Sequence, residues 1–416
     1  MGLKNAGGPS PGDTGSRSVG KQLESWRSRD AMGGIRVNSD VRTNVELIPY
    51  SATGGTKITQ PNPAGPGNIY IHVFDSPGTF VVSGVVEPTV NACEILVVAG
   101  GGGGGGRFYA GGGGAGGVVH NPSIVVDSSM PVTVGAGGNP GPDGPYDNTV
   151  ISMGEDSVLG VSPTVTITAK GGGSGGMNRP GATGAAGVTG GSGGGPAQYA
   201  ANSTPPGNQP SQNPGIPGWT NYGNTAYGQA VHPAGLAPTG NPQFHGAGGA
   251  GAGGINQIAN DPTGTYQRGG PGGNGQAFPN FPAPLIVPNI TFPGDVGHTD
   301  DRTLTGMGTD GYFGQGGGGA SYFNVGPGYW SNVNTSGQPQ WTGNAYVGKL
   351  GGGGAGGGDR DDAGANGWPA CYLTGSGGGG ANYNTPAGNC VNPYNPVVGA
   401  GGSGGPGCVM IRYIAE

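Results

Sequence analysis

The stretch EILVVAGGGGGGGRFYAGGGGAGGVV, residues 94–119, joins an apolar, strand-like segment directly to glycine. A GxGxxG pattern after a strand is typical of dinucleotide binding, but only where a helix follows, because the helix N-terminus holds the pyrophosphate. Residues 107–117 read RFYAGGGGAGG, which predicts no helix, since glycine costs about 1 kcal/mol per helical position relative to alanine. The stretch therefore predicts that glycine is itself the building material.

Glycine also dominates the composition, with 102 Gly and 38 Pro among 416 residues and only 9% charged residues. Disorder is one interpretation, because such a chain has few apolar side chains to offset the entropy lost on ordering. However, five Trp and sixteen Tyr are spread through the chain, and β-branched segments flank the glycine-rich part at both ends. These features favour an ordered chain that is mostly extended.

The charge and hydropathy patterns exclude several classes of partner. The net charge is −6 and the pI is about 5.3, whereas a protein that binds nucleic acid needs a dense Lys/Arg patch. The N-terminus lacks the apolar core of a signal peptide, and no apolar stretch approaches the roughly 18 residues that a membrane span requires. We expect no nucleic-acid partner, no membrane insertion, and synthesis in a cytoplasm.

Motifs for catalysis are missing from the sequence. It contains no P-loop, no GxSxG and no HExxH, and its five histidines are isolated from one another. Asp359, Asp361 and Asp362 could supply carboxylates for a glycosidase or oxygens for Ca²⁺, but solvated loop charges are the favoured interpretation. We therefore predict no catalytic residues, no metal site, no cofactor and no enzymatic activity. Cys371 and Cys390 could form a bridge, but four reduced thiols are the favoured interpretation.

Composition divides the chain at about residue 66. Residues 1–66 carry much of the basic charge and one helix-like piece, KQLESWRSRDAM, which indicates a segment for attachment to a larger particle or a disordered leader. Within residues 67–416 we predict a β-rich base at 67–170, glycine tracts with aromatic loops at 171–407, and a closing strand at 408–416. We expect this closing strand to pair with strands at residues 69–98.

One tract, PGATGAAGVTGGSGG, has a glycine at every third residue: Gly181, Gly184, Gly187, Gly190 and Gly193. A period of three is that of an extended helix without internal hydrogen bonds. The N–H and C=O groups of such a helix need partners in neighbouring segments, and only glycine lets backbones approach that closely. The predicted fold class is mainly β, with a small antiparallel base, stacked polyglycine II helices and almost no α-helix.

Aromatic residues in the loops between tracts are the best candidates for binding. Tyr and Trp give a large contact area at low entropic cost, and with Asn, Ser and Gly they form adaptable recognition loops. The candidates in the middle of loops are Trp219, Tyr222, Tyr227, Trp330 and Trp341. The alternative is that these rings are hydrophobic plugs over the glycine layers.

The order of several segments resembles a known family. HVFDSPGTFVV, then EILVVAGGGGGGG, then GGGGAGGVVHNPSIVVDSSMPVTVGAGG, and finally GAGGSGGPGCVMIRYIAE follow the series of the glycine-rich domain found in tail fibres and adhesins of bacteriophages. The resemblance runs from about Tyr70 to Glu416. It implies a polyglycine II core whose exposed loops contact the host surface.

The expected function is therefore that of a virion structural protein, a fibre or adhesin exposed on the particle. Its expected partners are other virion proteins, through residues 1–66, and a host glycan or outer-membrane protein. The resemblance also implies a homo-oligomer, with a trimer as the expected form. The alternative is a connector or decoration protein that binds only other virion proteins.

Overall fold

The computed structural model describes residues 50–84, 92–106, 110–141, 152–162, 165–177, 187–197, 205–210, 217–226, 246–247, 249–254, 270, 272–292, 307–320, 353–354, 366–381, 383–384, 397–398 and 400–415. The chain divides into Met1–Pro49 and Tyr50–Glu416. The helix predicted at KQLESWRSRDAM lies outside the described residues. The compact body begins at Tyr50, earlier than the predicted boundary at residue 67, because residues 51–61 form two strands of its sheets.

Two antiparallel sheets form the base of this body. The six-stranded sheet has the order β10-β6-β5-β15-β3-β2, and the five-stranded sheet has the order β1-β4-β7-β8-β9. The strands are β1 Ser51–Thr53, β2 Thr56–Pro61, β3 Asn68–Phe74, β4 Gly78–Ser83, β5 Ala92–Val98, β6 Val118–Val125, β7 Met130–Thr133, β8 Ser157–Ser162, β9 Val165–Ala169, β10 Thr220–Tyr222 and β15 Cys408–Ala415, with two-residue pairs at β11 Gln276–Ala277 with β12 Tyr312–Phe313 and at β13 Tyr383–Asn384 with β14 Val397–Val398.

The C-terminal strand β15 closes the six-stranded sheet. It lies between β3 and β5 and is antiparallel to both, with Val409 opposite Phe74 on one side and Val97 on the other. The predicted pairing of the closing strand with residues 69–98 is thereby confirmed.

Two apolar cores cover the two faces of the six-stranded sheet. The first core joins residues of both sheets, among them Ile95, Phe80 and Leu159, so the sheets pack face to face. The second core lies on the opposite face, where Leu96 and Met410 cluster with residues 278–290, 307 and 313. Because side chains alternate along a strand, the run EILVV supplies both cores at once.

A short helical segment completes the second core. Helix α1, Ala283–Ile286, starts after Pro282 and continues into a 3₁₀ turn, Val287–Asn289. Phe281 and Ile286 are fully buried against the sheet. Strands dominate and helix is scarce in the described residues, which confirms the predicted mainly-β class.

Glycine tracts extend from one end of the two sheets. Strand β5 runs directly into the tract 99–106, the tract 110–117 runs back into β6, and the tract 400–407 leads into β15. The tracts 135–141 and 170–176 follow β7 and β9 in the same direction. We call the end of the tracts that is remote from the sheets the outer end of the glycine bundle.

The tract 110–117 shows how the bundle is held together. Its N–H groups donate to residues 375–381, 170–176 and 247–250 in turn, and its C=O groups accept from residues 99–105, 192–195 and 317–320. The N···O distances in this set are 2.7–3.1 Å. One tract therefore bonds to six neighbouring segments through main-chain atoms alone.

The direction of these hydrogen bonds repeats every third residue. Ala110, Gly113 and Gly116 donate to Ala381, Gly378 and Gly375. The tract 99–106 has the same period and also bonds to six segments. An extended helix with three residues per turn presents its polar groups in this way.

Close approach explains why these positions are glycine. A Cβ atom added to Gly102 would lie 2.1 Å from the carbonyl oxygen of Gly173, and one added to Gly113 would lie 2.1 Å from that of Gly102. Neither oxygen can move without losing a main-chain hydrogen bond. The interior of the bundle is thus closed by amide groups, as the sequence predicts, rather than by apolar side chains.

Candidate functional site

Two of the predicted binding residues lie at strand β10: Tyr222 is its last residue and Trp219 directly precedes it. Among the described strands β10 is an edge strand that pairs with β6, with Thr220 opposite His120 and Tyr222 opposite Val118. The turn before it is fixed by Asn121, whose buried Nδ2 donates to the carbonyl oxygen of Pro217 at 3.2 Å. Gly218 adopts a φ of 97°, which favours glycine.

Trp219 is half-buried and packs against the first core. Its indole Nε1 is buried and has no hydrogen-bond partner among the described residues. This placement favours the alternative in which Trp219 is a hydrophobic plug. Its role in receptor binding stays a prediction.

Tyr222 is also half-buried and packs against the second core. Its ring meets that of Phe278 edge to face, with centroids 5.7 Å apart. Tyr227, Trp330 and Trp341 lie outside the described residues. Of the two candidates among the described residues, Trp219 just before β10 and Tyr222 on it therefore pack on opposite faces of one sheet.

A charged cluster on the six-stranded sheet was missed by the sequence analysis. Glu94 is almost fully buried; its Oε1 lies 3.0 Å from His120 Nε2, and its Oε2 accepts a hydrogen bond from Asn280 Nδ2 at 2.7 Å. Arg412, opposite Glu94 on β15, has its Nη1 3.6 Å from Oε2. The signal in the sequence was a single glutamate at the start of an apolar strand.

The chemistry of this cluster is that of a structural network. Both oxygens of Glu94 are taken by donors of the chain itself, so the carboxylate is held in place rather than free for a substrate. A buried carboxylate of this kind needs such partners, because an unpaired buried charge is costly. Asn280 links the cluster to the segment that covers the second core.

The glycines predicted to form a single extended helix have a different arrangement. Gly187, Gly190 and Gly193 lie in the bundle, where an added Cβ would come within 2.0 Å of a main-chain atom in each case. The chain reverses between Gly191 and Ser192: Val188 and Gly191 donate to Ser174 and Gly171, whereas Ser192 and Gly195 accept from Gly173 and Gly176. Gly181 and Gly184 lie outside the described residues.

Side chains complete the hydrogen bonding at the margin of the bundle. Gln209 accepts from the N–H of Lys170 at 2.8 Å and donates to the carbonyl oxygen of Thr168 at 3.1 Å. Asn224 Nδ2 donates to the carbonyl oxygens of Gly251 and Ala252. These amide side chains take the place of a neighbouring backbone where the bundle meets the sheets or ends.

The described part of the chain holds no group of three or more His, Cys, Asp or Glu residues suited to a metal ion. None of its helices has the length and apolar character needed to cross a membrane. Cys371 is buried, and Cys390 lies outside the described residues, so the question of a bridge between them stays open.

Residues 75–283 match the family model described as a glycine-rich domain. The match spans β4 to α1 and includes the tracts 99–106 and 110–117, whose hydrogen bonds organise the bundle. The chain belongs to the glycine-rich domain family. A comparison with curated protein sequences found no match. In this glycine-rich domain the glycines have a structural role, because the backbones of neighbouring tracts approach one another most closely at these residues.

Proposed function

We propose that this glycine-rich domain protein is a non-enzymatic structural protein of a bacteriophage particle, a fibre or adhesin that contacts the host surface. The proposal rests on family membership, on the resemblance of the ordered segments to phage adhesins, and on the construction of the bundle. The observation that carries it is the glycine bundle, whose tracts are joined by main-chain hydrogen bonds. These hydrogen bonds fix the outer end of the bundle without side-chain packing.

The outer end is defined by a set of hydrogen bonds at one level of the bundle. They join, in series, Gly105, Ala381, Ala110, Ala320 and Gly246, with N···O distances of 2.9–3.0 Å. The described residues 314–320 run outward to this level, and the described residues that follow Gly246 run back toward the sheets. In the sequence, Trp330 and Trp341 follow Ala320, and Tyr227 follows Ala226.

In this proposal these three aromatic residues bind a host glycan or outer-membrane protein. Trp and Tyr provide contact area with little loss of side-chain entropy. Trp219 and Tyr222 instead stabilise the sheets, because both pack against a core. Residues 1–49 attach the protein to the particle, and copies assemble as a symmetric oligomer.

The experiment compares Trp330→Ala, Trp341→Ala and Trp219→Ala in the full chain. We expect the first two to lower binding to susceptible cells about tenfold or more, as for interface anchors, with an unchanged melting temperature. Trp219→Ala is the matched control: we expect it to lower the melting temperature because it removes a ring from the first core. Resistant host mutants provide the background level of binding.

Two results would contradict the proposal. If the wild-type protein binds susceptible and resistant cells equally, receptor binding is wrong and a connector that contacts only virion proteins is favoured. If the protein is absent from purified particles by immunolabelling, both virion roles are wrong.

A further inference from the structure

The buried interface between the sheets contains a histidine with an unusual set of neighbours. His72 on β3 is fully buried, and its Nδ1 lies 2.7 Å from the carbonyl oxygen of Gly54. A carbonyl oxygen can only accept, so Nδ1 carries the proton and Nε2 of the neutral ring is an acceptor. Nε2 faces the hydroxyl of Tyr413 at 3.5 Å.

The hydroxyl of Tyr413 also holds the first strand. It accepts a hydrogen bond from the N–H of Ala52 at 3.1 Å, so the ring of Tyr413 connects His72 to β1. Gly54 follows β1 directly, so both hydrogen-bonding groups of His72 lead to residues 50–55. The rings of Phe80 and Tyr413 close around the imidazole, with centroids 5.1 and 5.8 Å away.

We propose that His72 is an acid-sensitive latch, which holds residues 50–55 on the sheets when neutral and releases them when protonated. The groups that face it are the Tyr413 hydroxyl from β15, the Gly54 carbonyl from the turn after β1, Phe80 from β4 and Lys57 from β2. Lys57 is directly opposite His72 in the ladder. Among the described residues, no carboxylate forms an ion pair with the ring.

An added proton on His72 is therefore unfavourable in the closed state. Burial lowers the pKa of His72, and the positive charge of Lys57 lowers it further, against the opposing effect of the Gly54 carbonyl. When residues 50–55 open and water enters, the pKa returns toward its ordinary value of about 6.5. The open state thus binds more protons, and acid favours it.

Residues 50–55 are the part of this surround that opens at least cost. Strand β1 has three residues and, among the described strands, lies at the edge of its sheet, where it pairs with β4. By contrast, β3 and β15 have seven and eight residues and each pairs on both sides. The turn Gly54–Gly55 has positive φ at both residues, a conformation that favours glycine. Because glycine has no side chain, the turn adds no side-chain contacts that would resist opening.

His120 provides a matched comparison in the same sheet. Its Nε2 lies 3.0 Å from Glu94 Oε1. Its side-chain partner is therefore a carboxylate and not the backbone of residues 50–55.

Hydrogen exchange measured by mass spectrometry on the full chain tests the latch between about pH 7.5 and about pH 5. The amide of Ala52 reports directly, because it donates to Tyr413. After correction for the intrinsic exchange rate, we expect the opening constant of residues 50–55 to rise about tenfold per pH unit below about 6.5. We expect the amides of β15 to keep their protection over the same range.

Variants separate the latch from general acid sensitivity. In His72→Asn the side-chain amide retains a donor for Gly54 but cannot take up a proton, so the acid-dependent opening is lost. His120→Gln retains it. If His72→Asn folds and opens with the wild-type pH dependence, the proposal is wrong.

A second measurement covers the case in which His72→Asn does not fold. The imidazole proton resonances of wild-type His72 are followed by NMR over the same pH range. A ring that titrates at its ordinary pKa with residues 50–55 still protected overturns the latch; a ring that stays neutral until those residues open supports it.

Discussion

The sheets and the glycine bundle exclude water in two different ways within one body. In the sheets, side chains such as Phe80 and Leu96 fill the space between layers, and the main-chain ladders join strands within each layer. In the bundle, main-chain groups pair in six directions, and no side chain larger than a methyl or hydroxymethyl stands in the tract 110–117 or in 99–106. The sheets therefore depend on buried apolar area, and the bundle depends on how closely backbones approach.

This difference predicts opposite responses to small changes in side-chain volume. A core made of side chains tolerates volume-conserving exchange and loses stability mainly when a cavity forms. A bundle of backbones has no cavity to create and no room to fill. Removal of a ring should therefore matter in the sheets, and addition of one methyl group should matter in the bundle.

The largest expected effect is that of Gly102→Ala in the bundle. The new Cβ would lie 2.1 Å from the carbonyl oxygen of Gly173, so the two tracts must separate and hydrogen bonds to several neighbours weaken together. We expect the variant to lose more than about 3 kcal/mol of stability or fail to fold, measured by urea denaturation. Gly254→Ala is the control, because its Cβ would have no neighbour closer than 3.9 Å. Equal stability of the two variants would show that backbone approach does not hold the bundle.

The next effect is that of Phe80→Ala in the sheets. Phe80 is fully buried in the first core, and the loss of its ring leaves a cavity that costs about 3–5 kcal/mol. The neighbouring Val81→Ala is the control, since Val81 is 42% exposed and should change stability by less than about 0.5 kcal/mol. Thermal unfolding measures both. A loss for Val81→Ala as large as that for Phe80→Ala would contradict this division between core and surface.

The smallest effect is expected at the margin, for Gln209→Ala. This change removes the hydrogen bonds to Lys170 N–H and the Thr168 carbonyl, and the free energy of unfolding should fall by about 1–2 kcal/mol. Asn208→Ala is the control, because Asn208 is exposed and contributes a main-chain hydrogen bond that alanine retains. If both variants match the wild type in urea denaturation, the side-chain amide does not replace a backbone neighbour there.

The strands could be predicted from the sequence because their residues carry a local signal. Residues 94–98 and 408–415 are runs of β-branched and apolar residues next to glycine, and the closing strand does pair with the first strands. Residues 51–61 group in composition with the basic segment before them, which includes Lys57, and Thr56–Pro61 contains one clearly apolar residue, Ile58. Their place at a sheet edge supplies partners that composition does not reveal.

The close packing of glycine tracts could be predicted from the sequence, but the arrangement of the tracts relative to one another could not. Glycine at many successive positions indicates close backbone approach. However, because all the glycines are alike, the sequence does not specify which tract lies next to which. The reversal between Gly191 and Ser192 is therefore invisible in a tract with a regular three-residue period. Trp219 shows the same limit for the candidate site: its flanking Pro and Gly indicate a loop, whereas the adjacent pairing of β10 with β6 draws its ring onto a core.

The sixfold bonding of the central tracts has a consequence for how such proteins diversify. The tracts do not depend on the fit of particular side chains. A connection between two tracts can therefore lengthen, shorten or be replaced by an unrelated segment while the hydrogen bonds between the tracts are kept. Natural variation should then concentrate in the connections and spare the glycines. The surfaces formed by the connections can therefore change repeatedly while the fold of the glycine bundle stays the same.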